Sequence, residues 1–154
     1  MRHSITALAA KGDLTFAATR GAVHAHRRVH RAGVYEGGHA GDVLQLLALG
    51  DALLSLGRDG RLCVWTLGAY AAPARTIELP AGFAPTCMAH PPTYVNKILV
   101  GAEDGRVALY NFATGRALHV FGPFGAAVRC LEPSPALDIV GIGLADGCVG
   151  GAVG

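Results

Sequence analysis

The chain has 154 residues, which is the size of one ordinary domain of roughly 100 to 200 residues and excludes a multidomain enzyme. It is 51% hydrophobic and only 16% charged, far from the composition of disordered segments. The net charge of +2 is too small to draw nucleic acid over the whole surface, but it is uneven: Arg2, Lys11, Arg20, Arg27, Arg28 and Arg31 against Asp13 give residues 1–31 a charge of +5, leaving −3 for the rest.

Glycine stands out, at 22 of 154 residues, or about twice the usual share of about 7%. The glycines have no three-residue period and proline numbers only 8, which excludes collagen and Pro-rich linkers and leaves short strands joined by tight turns. Cys63, Cys87, Cys130 and Cys148 form no Cys-x-x-Cys pair and follow no secretory leader, so a reducing compartment is expected. The first apolar stretch, Ile5 to Ala10, is too short for a signal-peptide core. No window approaches the roughly 18 apolar residues of a membrane helix, so a soluble, intracellular protein is expected.

In chain order, four segments repeat one grammar: an apolar strand, a charged turn ending in Gly, then an alternating strand. A degenerate first copy has Leu14 to Ala18, the turn Arg20-Gly21, and Ala22 to His26. The second has Val43 to Leu47 as an inner strand, then Ala52 to Leu56, Gly57-Arg58-Asp59-Gly60, and Leu62 to Thr66. The third has Thr86 to His90, Lys97 to Gly101, Glu103-Asp104-Gly105, Val107 to Asn111, and Ala117 to Phe121 as an outer strand. The fourth has Val128 to Glu132, Asp138 to Gly143, Ala145-Asp146-Gly147, and Cys148 onward. Nothing of length reads as a helix.

The turn glycines Gly21, Gly60, Gly105 and Gly147 are 39, 45 and 42 residues apart, matching the roughly 40 to 45 residues of a four-stranded propeller blade. Asp-Gly between apolar runs is itself a strong hairpin signal, because Gly takes φ > 0 without steric cost. An all-β, partial β-propeller of about three and a half four-stranded blades is predicted, with repeats at roughly 5–41, 42–84, 85–127 and an incomplete 128–154.

The second copy resembles a WD repeat: Gly38-His39 before it, Ser55 on its second strand, Asp59 in its turn and Trp65 on its third strand. The resemblance implies a structural hydrogen-bond network of His39, Ser55, Asp59 and Trp65. Val100 and Ile142 stand at the position of Ser55 in the next two copies, which should rest mainly on packing. A closer resemblance is carried by Ile5 to Ala10 with Leu14 to Ala18, by Phe83 to Pro91 with Thr93 to Ile98, and by Ser134 to Val140. These segments are similar to the first propeller of the family of U-three small nucleolar RNA-associated protein twenty-one, also called WD-repeat protein thirty-six. The block His-Pro-x-Thr-Tyr-x-Asn-Lys at 90 to 97 is its most specific part.

That resemblance implies a non-enzymatic scaffold subunit of the small-subunit processome, in its UTP-B subcomplex, supporting ribosomal RNA processing in the nucleolus. Its implied partners are other UTP-B proteins, pre-ribosomal RNA and the small nucleolar RNA-protein particle, with no small-molecule substrate, membrane, cofactor or metal. The alternative is a generic WD-repeat interaction module of another pathway. The family's chains are much longer, so this one reads as a fragment of the first propeller whose open sheet edges should make it aggregate or pair with itself. The glycines of Gly147 to Gly154 are expected to weaken the last strand.

Three polar or glycine-rich clusters admit sharper chemistry. His39, Ser55 and Asp59 are the residue types of a hydrolytic triad, but no Gly-x-Ser-x-Gly elbow surrounds Ser55, and the network reading is preferred. Gly141 to Asp146 faintly resembles a dinucleotide loop, yet no third Gly and no helix follow. His24, His26 and His30 with Arg27, Arg28 and Arg31 form a dense polar run. It lacks nearby Cys or carboxylate ligands for a metal, so the arginines read either as a contact to RNA or a partner or as a solvated blade edge. The cysteines are expected to pack as small hydrophobes in strands, and Tyr110 and Phe121 to lie in the core.

Overall fold

A computed structural model describes residues 4–153; Arg2 of the basic stretch and Gly154 of the terminal glycine run lie outside them. Among the described residues every helix or strand assigned is a β-strand, and the strands form three four-stranded sheets and one three-stranded sheet, all antiparallel between sequence neighbours. The chain divides into two compact units, Met1–Leu79 and Pro80–Gly154.

The first unit holds β1 (Ala7–Lys11), β2 (Leu14–Ala18), β3 (Val23–Arg27) and β4 (His30–Tyr35) in one sheet, and β5 (Val43–Leu49), β6 (Ala52–Gly57), β7 (Arg61–Thr66) and β8 (Arg75–Glu78) in the next. Strand residues alternate between faces, so the apolar residues at every second position of β2, β3 and β6 meet in one core. Phe16, Val23 and Tyr35 from the first sheet pack with Val43, Leu46, Leu53 and Trp65 from the second. Each such side chain, removed from water, contributes about 1.5–3 kcal/mol. The middle strand β6 is buried over Leu53, Leu54, Ser55 and Leu56 in succession, so both its faces are covered.

The second unit holds β9 (Pro85–Ala89), β10 (Lys97–Ala102), β11 (Val107–Asn111) and β12 (Arg116–Phe121), then β13 (Val128–Pro133), β14 (Ile139–Leu144) and β15 (Val149–Val153). Its core joins Leu99, Val107 and Leu109 to Val128, Leu131, Val140 and Ile142. Val100 and Ile142, at the positions of Ser55, are fully buried, and Tyr110 is buried while Phe121 is half-buried.

The four repeat turns place glycine in the same backbone conformation. Gly21, Gly60, Gly105 and Gly147 take φ of 78°, 78°, 84° and 86°, the left-handed region that favours glycine. In the last three, the glycine N–H donates to the carbonyl three residues back at 3.2 Å. In the same three, the preceding Asp accepts from the N–H two residues on: Asp59 from Arg61 at 3.3 Å, Asp104 from Arg106 at 3.1 Å, and Asp146 from Cys148 at 2.9 Å. An Asx turn thus locks these three corners; at the first, Arg20 precedes Gly21, whose N–H donates instead to the Gly41 carbonyl at 3.0 Å.

The structure corrects several expectations. The polar run from His24 to Arg31 is not a single blade edge: His24 and His26 lie on the third strand, and only His30 and Arg31 on the outer one. Cys63 and Cys87 are buried, but Cys130 is exposed on β13 and Cys148 is exposed in the turn before β15. All four are free thiols. The glycines of β15 still pair, Gly150 opposite Ile142 and Gly151 opposite Gly141, because ladder hydrogen bonds come from the backbone. Gly141 and Gly143 sit inside β14, in keeping with the strand read at 138–143.

Candidate functional site

Pairing of β6 with β7 sets Leu53 opposite Trp65 and Ser55 opposite Cys63. Ser55 and Trp65 are therefore diagonal neighbours on one face, within reach of a long aromatic side chain. The Trp65 indole N–H donates to Ser55 Oγ at 2.8 Å, and Ser55 Oγ lies 2.7 Å from His39 Nε2. On its other side His39 Nδ1 lies 3.1 Å from Asp59 Oδ1. The proton arrangement that pairs every buried group has Ser55 donating to Nε2 and Nδ1–H donating to the carboxylate. The second Asp59 oxygen accepts from the Ala40 N–H at 2.8 Å, tying the segment before β5 to the β6–β7 turn.

Burial by itself would push the Asp59 carboxyl up. The N–H of Ala40, the His39 imidazole and the N–H of Arg61 outweigh it and hold the group below the usual carboxylate range. Cys63 behaves oppositely: burial pushes its thiol up to about 11, so it stays protonated beside the Gly38 carbonyl. Ser55 is 0% exposed and held on both sides. Trp65 and His39 enclose its hydroxyl, and the bonds of His39, Ser55 and Asp59 join two loops and a strand.

Two glycines that local turn rules do not single out form the floor of this network. A Cβ on Gly38 would lie 2.6 Å from the Trp65 ring, and one on Gly57 would lie 2.2 Å from Asp59 Oδ1 and 2.3 Å from His39 Nδ1. Neither glycine has a positive φ, so only the close approach of side chains across the sheet reveals them.

The basic residues lie elsewhere in the first unit. Arg27 ends β3 and pairs with Asp13 at 3.1 Å, while Arg28 takes φ of 55° in the hairpin and donates its N–H to the Asp13 carbonyl. Arg31 is exposed on β4. His24 lies 3.3 Å from the Thr19 hydroxyl. The structure does not bring these arginines to the His39 network.

In the second unit, the 90–97 block clasps the third and fourth sheets. His90 Nδ1 lies 2.8 Å from the Lys97 carbonyl, the Lys97 ammonium stands 3.3 Å over the Tyr94 ring, and Thr93 and Tyr94 donate to the two oxygens of Asp138 at 2.6 and 3.1 Å. The Asp138 carboxylate pushes the Tyr94 hydroxyl up. Among the described residues no group of three His, Cys, Asp or Glu is placed to hold a metal ion.

Solved structures share the fold. A computationally designed protein called Ika8 superimposes over 97% of this chain and 46% of its own, with a TM-score of 0.83 and 24% identity. Among known proteins, human WD repeat-containing protein 36 is 32% identical over 147 residues, covering 96% of this chain. The U3 small nucleolar RNA-associated protein 21 homolog of Schizosaccharomyces pombe is 31% identical over 114 residues, covering 70%. The chain spans only 16% and 12% of the length of these two relatives. The family model for the WDR36/Utp21 first beta-propeller matches residues 1–150. With the repeated Asp-Gly corners, the sheet topology and this match in agreement, the chain belongs to the WDR36/Utp21 first beta-propeller family.

Proposed function

We propose that this chain is the beginning of the first propeller of a non-enzymatic scaffold protein of the small-subunit processome, acting in ribosomal RNA processing within the nucleolus. The observation that carries the reading is the family match over residues 1–150. A relative named as a U3 small nucleolar RNA-associated protein supports it. In this reading the blades are residues 5–41, 42–84, 85–127 and 128–154, and the wider protein docks other UTP-B proteins and pre-ribosomal RNA. His39, Ser55, Asp59 and Trp65 serve a structural role: they fix the loops of the second blade, and rigid loops suit docking of several partners. Arg27, Arg28 and Arg31 contact RNA phosphates, where guanidinium forks match phosphate oxygens.

Purification of the tagged protein from its own cells tests this. Enrichment of U3 small nucleolar RNA, small-subunit precursor RNA and UTP-B proteins is expected. Recovery of an unrelated set of proteins, without these RNAs, would overturn the processome assignment in favour of a generic interaction module.

A further inference from the structure

We propose that the cleft between the β3–β4 hairpin and the β7–β8 loop is a stacking site for single-stranded RNA, with Tyr70 as its platform and His30 and Arg31 beside it. The proposal rests on the reading of the arginine edge as an RNA contact and adds what the nucleic acid does there.

Tyr70 is held in an unusual way. It takes φ of 44°, a conformation that an aromatic residue adopts only when its surroundings impose it. The surroundings are specific: the Leu67 N–H donates to the Asp51 carbonyl at 2.9 Å, the Gly68 N–H to the Tyr35 hydroxyl at 3.0 Å, and the Ala69 N–H to the Thr66 carbonyl at 3.2 Å. The ring itself lies on Gly33 of β4, where a Cβ would come within 2.3 Å of it, and leans on Tyr35 at a centroid distance of 5.2 Å. Only glycine at 33 admits this contact. The ring is thus fixed in advance, and binding need not order it.

The ring is only half-buried, and it lines an open cleft of about 490 Å³ with Arg27, His30 and Arg31. That volume lies within the roughly 300–1,000 Å³ of ligand sites. Of the nearby cations, Arg27 is matched by Asp13, whereas Arg28 and Arg31 are exposed and have no ion pair among the described residues. A rigid aromatic ring beside such cations is the combination that holds single strands, because any base offers a π-face and its phosphates offer charge. A duplex hides its base faces, and an acidic peptide would engage the arginines without using the ring.

The test is fluorescence anisotropy with a labelled oligouridylate of about ten nucleotides over a series of salt concentrations. Tyr70→Phe should bind as the natural chain does. Tyr70→Leu, which keeps an apolar contact on Gly33, should bind about tenfold more weakly with an unchanged salt slope. Arg28→Gln with Arg31→Gln should flatten the slope of log K against log salt by about 1.4, since each phosphate that is no longer neutralised removes about 0.7. A flattened slope in the arginine variant with full affinity in Tyr70→Leu would overturn the stacking site and leave the arginine contact standing. Equal salt slopes in all chains, or a polyglutamate probe binding as tightly as the RNA, would overturn both. Photocrosslinking of the unaltered chain to 5-iodouridine RNA needs no variant: adducts should form on Tyr70, and adducts confined to other residues would overturn the proposal.

Discussion

Ser55 carries one hydroxyl, and two buried neighbours depend on it. Replacing it by Ala leaves the Trp65 indole N–H and the His39 Nε2 without a partner in a site that water does not reach. Each orphaned group costs about 1–3 kcal/mol, so Ser55→Ala should lower the unfolding free energy by about 2–4 kcal/mol, read from the denaturant midpoint. A loss under about 0.5 kcal/mol would mean that the network does not hold the second sheet. Asp59 gives the same network a pH dependence. Its carboxyl is held below the unfolded value, near 3.9, so the stability it contributes is complete above that value and is lost as pH falls through the folded one. The natural chain should therefore lose stability below about pH 4 more steeply than Asp59→Asn. Parallel denaturant titrations between about pH 2.5 and 6 would show it, and superimposable pH profiles would refute it.

Among the elements, the hairpin corners separate conformational strain from steric crowding. Gly60 and Gly105 have nearly the same φ, 78° and 84°, but an added Cβ at Gly60 meets open space while one at Gly105 lies 2.7 Å from the Ala126 carbonyl. Gly60→Ala should cost only the left-handed penalty of about 1–2 kcal/mol, and Gly105→Ala clearly more. Equal denaturant midpoints for the two variants would contradict this. These corners also explain what the sequence reveals. A turn glycine is visible in one dimension because its backbone conformation is local, and the spacing of four of them exposes the sheets. The strand Arg75–Glu78 escapes such reading because it is short and carries one inward apolar residue, Ile77. The roles of His39, Ser55, Asp59 and Trp65 are visible as residue types at repeat positions. Those of Gly57 and Gly38 are not, because they follow from side chains approaching across the sheet, and Tyr70 is hidden by lying in a loop whose path no periodicity encodes.

For the molecule as a whole, the fourth sheet differs from the other three. Each of those ends on an outer strand, β4, β8 or β12, whereas β15 has no strand beyond it among the described residues. Among the described residues its backbone edge is unpaired on one side, and Val149 at its start is 81% exposed. Natural proteins protect such edges with charge, proline or a bulge, and the described part of β15 consists of valine, glycine and alanine. The edge is apolar and uncharged, so a second copy of the chain can add a strand to it through backbone hydrogen bonds that need no particular side chain. The 154-residue chain should accordingly self-associate as its concentration rises, seen as an increasing weight-average mass in sedimentation velocity. Val149→Lys places a charge on that edge and should shift the association to markedly higher concentration without lowering the melting temperature of the remaining strands. A chain that stays monomeric over a hundredfold range of concentration, or one whose association is indifferent to Val149→Lys, would show that the β15 edge is not the surface through which copies meet.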